Sequence, residues 1–91
     1  MASVVVTLKI MPESPDTDLD KIKEQAKKEI AAFGGDVGKE EIKPVAFGLK
    51  EILLYFVMDE SKGGTDKLED KVRTISGVVS VEVTDVRRAI G

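Results

Sequence analysis

The sequence predicts an α+β fold, because two kinds of hydrophobic periodicity alternate along its 91 residues. Strict alternation of apolar residues, which is typical of a half-buried β-strand, is found near both ends of the chain. Apolar residues spaced three and four apart, which are typical of an amphipathic helix, recur in two intervening segments. Glycine and proline residues separate these segments, so each segment is expected to form a distinct element.

The first third of the chain predicts one strand and one helix. Residues 3–11 alternate apolar and mixed side chains, and the segment PESPDTD then ends this strand. The candidate helix caps are Asp16, Thr17 and Asp18. The helix is predicted over about residues 19–33, with one apolar stripe made of Leu19, Ile22, Ala26, Ile30 and Phe33. Gly34 and Gly35 are expected to end it through a left-handed cap.

The middle of the chain predicts two further strands. Residues 36–45 are weakly strand-like, and Pro44 removes one ladder hydrogen bond, which places this strand at an edge of the sheet. After the turn Ala46-Phe47-Gly48, residues 49–59 are apolar on both alternating faces. That pattern is typical of a central strand.

The last third predicts a second helix and a fourth strand. Thr65 is the expected N-cap of a helix over about residues 66–76, which Gly77 should end. The apolar stripe of this helix is Leu68, Val72 and Ile75. The strand is predicted from Val78 to about Val86, followed by the short tail RRAIG. Its apolar face should carry Val79, Val81 and Val83.

The element order is therefore β-α-β-β-α-β, with one hairpin in the middle and two helical crossovers. This order predicts a ferredoxin-like sandwich, in which two helices cover one face of a four-stranded antiparallel sheet. The expected strand order is 4-1-3-2, which keeps the strand that contains Pro44 at an edge. A chain of 91 residues is expected to form one domain.

The composition excludes several classes of function. The chain has no histidine and no cysteine, which excludes Ser-His and Cys-His catalysis and the usual zinc sites. The net charge of −3 and an aromatic content of 4% argue against direct nucleic-acid binding. No apolar run approaches the ~20 residues that a membrane span needs. We expect a cytoplasmic protein that carries no metal or cofactor and acts by shape and docking.

Two further motifs have a simpler structural explanation. Asp16, Asp18 and Asp20 alternate as in a calcium loop, but the glycine and glutamate that such a loop requires at its sixth and twelfth positions are absent. Helix capping explains these acids better. The segment KGGT at residues 62–65 lacks the spacing of a phosphate-binding loop and precedes an ordinary helix.

Phe47 is the most informative single residue, because a turn that only reverses the chain uses Asn-Gly or Asp-Gly. Its ring could fold back onto the protein's own core, as most phenylalanines do. Alternatively, it could project as an aromatic anchor for a partner's pocket, and Gly48 would permit the backbone that this needs. Arg87 and Arg88 are either solvated residues at a strand end or a clamp for acidic groups.

Three stretches together resemble one family. KIMPESPDTDL near the start, PVAFGLKEI across the hairpin and GVVSVEVTDVRRAIG at the end are similar to translation elongation factor 1-beta of the archaeal type. The resemblance covers essentially the whole chain, and the combination of AFGL with EVTDV is its most specific part. It implies that residues 1–91 form a single guanine-nucleotide exchange domain, whose partner is the GTPase elongation factor 1-alpha.

The resemblance also implies a set of partner-binding residues. The phenylalanine of the family's Phe-Gly tip docks into the GTPase, and this role carries over to Phe47 with Ala46 and Gly48 as its supports. The closing strand of the family matches Thr84, Asp85 and Val86, and Arg87 and Arg88 follow it. Eukaryotic relatives have a lysine near the C-terminus that enters the magnesium and phosphate site, whereas this chain has no lysine after Lys71. Either arginine could replace it, or magnesium could be loosened by another route.

Two other classes of function remain open on the residues alone. A small-molecule regulatory module of the ACT type shares the predicted fold, but it needs a glycine-rich turn after the first strand, where this chain has MPESPDTD. A structural subunit of a larger complex is the third hypothesis.

Overall fold

The computed structural model describes residues 3–89, which form four strands and two helices. The elements are β1 (Ser3–Pro12), α1 (Leu19–Phe33), β2 (Asp36–Pro44), β3 (Lys50–Asp59), α2 (Asp66–Arg73) and β4 (Val78–Ala89). Short 3-10 turns, Ala46–Gly48 and Glu60–Lys62, precede and follow β3. The order of elements is the predicted one, and most boundaries lie within one residue of the prediction. None of the helices between residues 3 and 89 is long and apolar enough to cross a bilayer.

The four strands form one antiparallel sheet with the order β2-β3-β1-β4, so the predicted fold class and strand order are confirmed. β3 lies inside the sheet between β2 and β1, as its apolar side chains on both faces predict. β2 lies at one edge and ends at Pro44, where the missing N–H of the proline does not interrupt an inner ladder.

The hydrophobic core lies between one face of the sheet and the two helices. β1 and β3 contribute alternate residues to it, since successive side chains of a strand point to opposite faces. The fully buried members from these strands are Val6, Leu8, Ile10, Ile52, Leu54 and Phe56. The predicted helix stripes are confirmed, with Ile22, Ala26, Ile30, Leu68 and Val72 buried and Leu19, Phe33 and Ile75 packed at the margin.

The ends of the two helices differ in how well their caps were predicted. α1 begins as expected, since the Asp18 carboxylate accepts a hydrogen bond from the Lys21 N–H at 3.2 Å. It also ends as expected at Gly34, which has a φ of 101°. At α2 the predicted N-cap residue, Thr65, is confirmed, but its hydroxyl donates to the Glu69 carboxylate at 3.0 Å instead of accepting from a backbone N–H.

α2 is also shorter than predicted, ending at Arg73 and not near Ser76. The N–H groups of Thr74 and Ile75 bond to carbonyls three residues earlier, which tightens the last turn out of α-helical geometry. Gly77 therefore lies in the connection to β4, with a φ of 93°, and does not form the helix cap.

β4 is longer than predicted and includes part of the expected tail. Arg87 and Arg88 lie in the strand, where they pair with Val5 and Val4 of β1. The extension follows from β1, which begins at Ser3 and would otherwise leave backbone groups at its start without a partner on that side. Residues 90–91 of the predicted tail lie outside the described residues.

Two β-bulges interrupt the pairing of β4 with β1. Ser80 pairs with Met11 and Val78 with Pro12, so Val79 is an extra residue without a partner. The prediction that Val79 lies on the apolar face is therefore wrong, since Val78 is buried there and Val79 is 60% exposed. Thr84 is the extra residue of the second bulge, between Val83 and Asp85.

An ion-pair cluster connects α1 to the edge strand β2. The Glu40 carboxylate lies 3.0 Å from the Lys23 ammonium and 2.9 Å from the Lys27 ammonium. The hydrogen bonds from Lys27 and Lys23 hold the pKa of Glu40 below its ordinary value of 4.5. Because this folded-state pKa is depressed, the stability it contributes is present above pH ~4.5 and is lost as the pH falls through the folded pKa.

We therefore expect Glu40→Gln to lower the free energy of unfolding by about 0.5–1 kcal/mol at pH 7, the range of a partly exposed ion-pair cluster. The difference from the unmodified protein should shrink as the pH falls below about 4.5 and disappear once the pH is below the folded-state pKa of Glu40. Glu24→Gln, which removes the same charge from α1, is the control and should change stability little at either pH. A Glu40→Gln deficit that stayed constant from pH 7 to pH 3 would contradict this account.

Candidate partner-binding site

The hairpin tip between β2 and β3 places its aromatic ring in solvent. Phe47 is 94% exposed, whereas the exposed fractions of Ile42, Val57, Val79 and Val86 lie between 39% and 60%. The ring therefore does not fold back onto the core, and the core interpretation of this residue is wrong. An aromatic ring that is left in water at the end of a sheet is a candidate anchor for a partner.

The backbone of the turn explains why the ring projects. Phe47 has a φ of 63° and a ψ of 29°, which is the left-handed region, and Gly48 has a φ of 76°. The Leu49 N–H donates to the Ala46 carbonyl at 3.3 Å, and the Val45 N–H donates to the Leu49 carbonyl at 2.8 Å. These two bonds close the hairpin directly below the ring.

The loop between β1 and α1 supports the base of the tip. A Cβ atom at Gly48 would lie 3.8 Å from the Pro15 ring, which is ordinary van der Waals contact. The loop itself is fixed, since the Thr17 hydroxyl accepts a hydrogen bond from the Ser14 N–H at 3.2 Å. The Glu13 N–H donates to the Gly77 carbonyl at 2.8 Å, which connects this loop to the start of β4.

The predicted residues near the C-terminus lie on two different faces of the sheet. Arg87 pairs with Val5 on the face that no helix covers, and its guanidinium lies 2.8 Å from the Asp85 carboxylate. Arg88 pairs with Val4, which packs against the core, so it lies on the helix side, where it donates to Glu60. Thr84 is the bulge residue and is exposed.

These residues form two separate patches. The tip patch consists of Ala46, Phe47 and Gly48, and the C-terminal patch consists of Thr84, Asp85, Arg87 and Arg88. Lys50 begins β3 beside the tip patch, whereas Val57 lies level with Arg87, because both pair with Val5. Seven residues of strand at ~3.4 Å each separate the two levels by about 24 Å. The structure therefore brings the tip residues together and holds the two patches near opposite ends of the sheet. Within the C-terminal patch, Arg88 lies on the face opposite to Asp85 and Arg87.

The uncovered face of the sheet connects the two patches and was not part of the predicted site. Leu53 and Thr7 are buried at its centre, 7% and 8% exposed, although no helix covers them. The Tyr55 hydroxyl donates to the Glu41 carboxylate at 2.6 Å, and this bond lowers the pKa of Glu41 and raises the pKa of Tyr55. The sequence did carry one signal for this face, the apolar residues on both sides of β3. We interpreted that pattern only as a sign of a central strand and not as a sign of an exposed apolar face.

Two lysines of this face have partners within the chain. The Lys9 ammonium lies 3.3 Å from the Glu82 carboxylate, and the Lys39 ammonium lies 5.3 Å from the centre of the Tyr55 ring. Across residues 3–89 no three acidic side chains are grouped so that they could hold a metal ion. The face therefore has a buried apolar residue at its centre and paired charges beside it.

Comparison with known proteins identifies the family. A family model described as the EF-1 guanine nucleotide exchange domain matches residues 5–89. Elongation factor 1-beta of Methanothermobacter thermautotrophicus is 42% identical over 88 residues, which cover 97% of this chain and 98% of that protein. Elongation factor 1-beta of Staphylothermus marinus is 43% identical over 89 residues, with coverages of 97% and 98%.

The similarity to solved structures concerns the fold alone. The ACT domain from GTP pyrophosphokinase of Chlorobium tepidum has a TM-score of 0.61 and 21% identity, and the match covers 89% of this chain and 97% of that domain. A sequence identity this low does not transfer a function between proteins that share a fold. The ACT-like alternative is therefore not favoured.

The chain belongs to the elongation factor 1-beta family, and its role is guanine nucleotide exchange in translation elongation.

Proposed function

We propose that this protein accelerates the release of GDP from elongation factor 1-alpha by docking both of its patches onto that GTPase, with residues 1–91 acting as one exchange domain. The family implies the interaction with this partner. The observation that carries the docking mode is Phe47, which is 94% exposed at a hairpin tip that hydrogen bonds hold closed. An exchange factor needs no bond chemistry, which agrees with a site made of a ring, two arginines and a sheet surface.

The mechanism rests on differential binding. An exchange factor binds the nucleotide-free GTPase more tightly than the GDP-bound form, and the coupling is reciprocal. The factor by which the protein weakens GDP binding is the factor by which GDP weakens binding of the protein. GTP then occupies the vacated site by mass action.

The tip patch supplies the affinity and the register in this proposal. Burial of an aromatic anchor at the centre of an interface contributes about 2–4 kcal/mol. The ring needs little ordering when it binds, because the turn already holds it away from the sheet. A partner pocket lined by apolar side chains is the complement that such a ring requires.

The C-terminal patch supplies positive charge, and the two arginines differ in how available they are. Arg87 lies on the uncovered face, with its side chain 80% exposed, and its recorded partner is the neighbouring Asp85. Arg88 bonds to Glu60 of the turn after β3, on the helix side of the sheet. A partner that contacts the ring and follows the uncovered face reaches Arg87 but not Arg88. We therefore assign to Arg87 the electrostatic contact near the magnesium and phosphate site of the GTPase.

This assignment gives a prediction that compares the two arginines. Arg87→Ala should slow GDP release about tenfold at low salt, because it removes an exposed guanidinium, and the deficit should shrink as ionic strength rises. Arg88→Ala should leave GDP release within about twofold and should act mainly on the contact with Glu60. The measurement is release of a fluorescent GDP analogue from the purified GTPase at 50 and 500 mM salt.

The two variants are matched controls for each other, because they are adjacent and carry the same charge. Equal effects of Arg87→Ala and Arg88→Ala on release would contradict the assignment to one face. The complete proposal has a simpler test, in which substoichiometric protein should accelerate GDP release over many turnovers. If the protein does not change the rate of GDP release, the proposed function is contradicted.

A further inference from the structure

Phe47 and Gly48 occupy two consecutive left-handed positions, which is an unusual backbone for a phenylalanine. The φ and ψ of Phe47, 63° and 29°, match the first central position of a type I′ turn, and the φ of 76° at Gly48 agrees with the second. The Leu49 N–H closes the turn on the Ala46 carbonyl. Among residues 3–89, Phe47 is the one residue other than glycine with a positive φ.

This turn type normally has Asn-Gly or Asp-Gly at its centre. Those residues accept a positive φ at low cost, whereas the Cβ of a bulky residue is crowded by the adjacent carbonyl. Contacts of the ring do not compensate for this cost, because the ring is 94% exposed. The fold therefore loses stability at position 47 without a local gain.

We infer that the hairpin tip is a strained and preorganised docking element. The left-handed backbone at residue 47 lowers the stability of the fold and holds the aromatic ring outward. Gly48 is the positioning residue, since its left-handed backbone fixes the direction in which the ring leaves the hairpin. Strained backbone that persists at an exposed position is typical of binding and switch sites. The identity of the surface that the ring meets rests on the proposed function, whereas the strain does not.

The strain has a test that needs no partner. Phe47→Ala and Phe47→Asn both remove the ring, but asparagine accepts the left-handed backbone more readily than alanine. We expect Phe47→Asn to melt about 3–6 °C higher than Phe47→Ala, and also higher than the unmodified protein. Ala46→Asn is the control, because residue 46 is also exposed in the same turn but has no positive φ.

The control compares the same two side chains in an ordinary backbone, so asparagine should give no gain over alanine at position 46. Two results would contradict the inference that the backbone at residue 47 is strained. In one, Phe47→Asn melts no higher than Phe47→Ala. In the other, asparagine stabilises positions 46 and 47 equally.

The positioning role of Gly48 has a separate test in the exchange assay. Gly48→Ala and Gly48→Asn both add a Cβ, which would meet the Pro15 ring at an ordinary distance of 3.8 Å, so available space does not distinguish them. Alanine disfavours the required backbone and asparagine tolerates it. At a temperature where all variants are folded, we expect Gly48→Ala to slow GDP release at least about fivefold. Gly48→Asn adds a larger side chain at the same position but tolerates the backbone, so it should slow release less than Gly48→Ala does.

A purely structural role would lower the melting temperature of Gly48→Ala while leaving release by the folded protein unchanged, and that result would overturn the positioning role. The failures of this inference and of the proposed function are distinguishable. If Phe47→Ala exchanges normally but Phe47→Asn is more stable, the docking mode fails and the strain stands. If Phe47→Ala exchanges slowly but Phe47→Asn is no more stable, the strain fails and the docking mode stands.

Discussion

Phe47→Ala is expected to slow the GDP release that this protein stimulates by about 30-fold or more, while leaving the fold intact. The ring is 94% exposed and lies outside the core cluster, so its removal should create no cavity. In the docked complex the same ring should be buried, and an aromatic anchor contributes about 2–4 kcal/mol there. A loss of 2 kcal/mol corresponds to a factor of about 30 in an equilibrium or rate constant. Stopped-flow release of fluorescent GDP measures the effect.

The control for this variant is another exposed apolar side chain. Val79 is 60% exposed in the first bulge of β4, the edge strand on the other side of the sheet from β2, so Val79→Ala removes exposed apolar surface outside the hairpin. Its release rate should stay within about twofold of the unmodified protein. If the Phe47→Ala variant stimulates GDP release at the same rate as the unmodified protein, the Phe47 ring has no role in the mechanism. Equal losses in both variants would show that the tip has no special role.

Phe56→Ala should have the largest effect on stability, about 3–5 kcal/mol. Phe56 is fully buried in β3 and lies opposite Val6 of β1 and Val37 of β2. Its ring also lies where a Cβ at Gly35 would approach to 2.9 Å, so the packing around it is tight. Removing the ring leaves a cavity that two inner strands and the end of α1 cannot fill, because close-packed interiors relax only in part.

Denaturant unfolding measures this loss, and the adjacent residue provides the control. Val57 is 39% exposed on the other face of the same strand, so Val57→Ala should cost less than about 1 kcal/mol. A domain of this size has about 5–15 kcal/mol of total stability, so Phe56→Ala should approach the limit of folding. A loss below 1 kcal/mol for Phe56→Ala would contradict the account of the core.

The elements and their order could be predicted because each has a local signal. The stripe of α1, the acid at its start and the glycine at its end agree with one another, and the structure confirms all three. The edge position of β2 followed from Pro44 alone, since a proline in an inner strand would leave a neighbour's carbonyl unpaired.

The errors of the prediction have tertiary causes. β4 extends through Arg87 and Arg88 because β1 begins at Ser3, and no local signal in RRAIG indicates that pairing. The bulge at Val79 moves Val78 to the core face, a change in register that a period of two cannot predict.

The sequence named the candidate residues of the site but could not predict their geometry. The sequence motif singled out Phe47, yet the turn decides whether its ring meets the core or the solvent, and the turn depends on how β2 and β3 twist around each other. The separation of the tip patch from the C-terminal patch likewise requires the register of β1 with both of its neighbours.

The most direct test of nucleotide exchange by preferential binding is calorimetric titration of this protein into elongation factor 1-alpha in its nucleotide-free and GDP-bound forms. We predict tighter binding to the nucleotide-free form, by the same factor by which a saturating amount of this protein raises the Kd of the GTPase for GDP. Equal affinity for the two forms would contradict the account, because a protein that does not distinguish them cannot shift the binding of GDP.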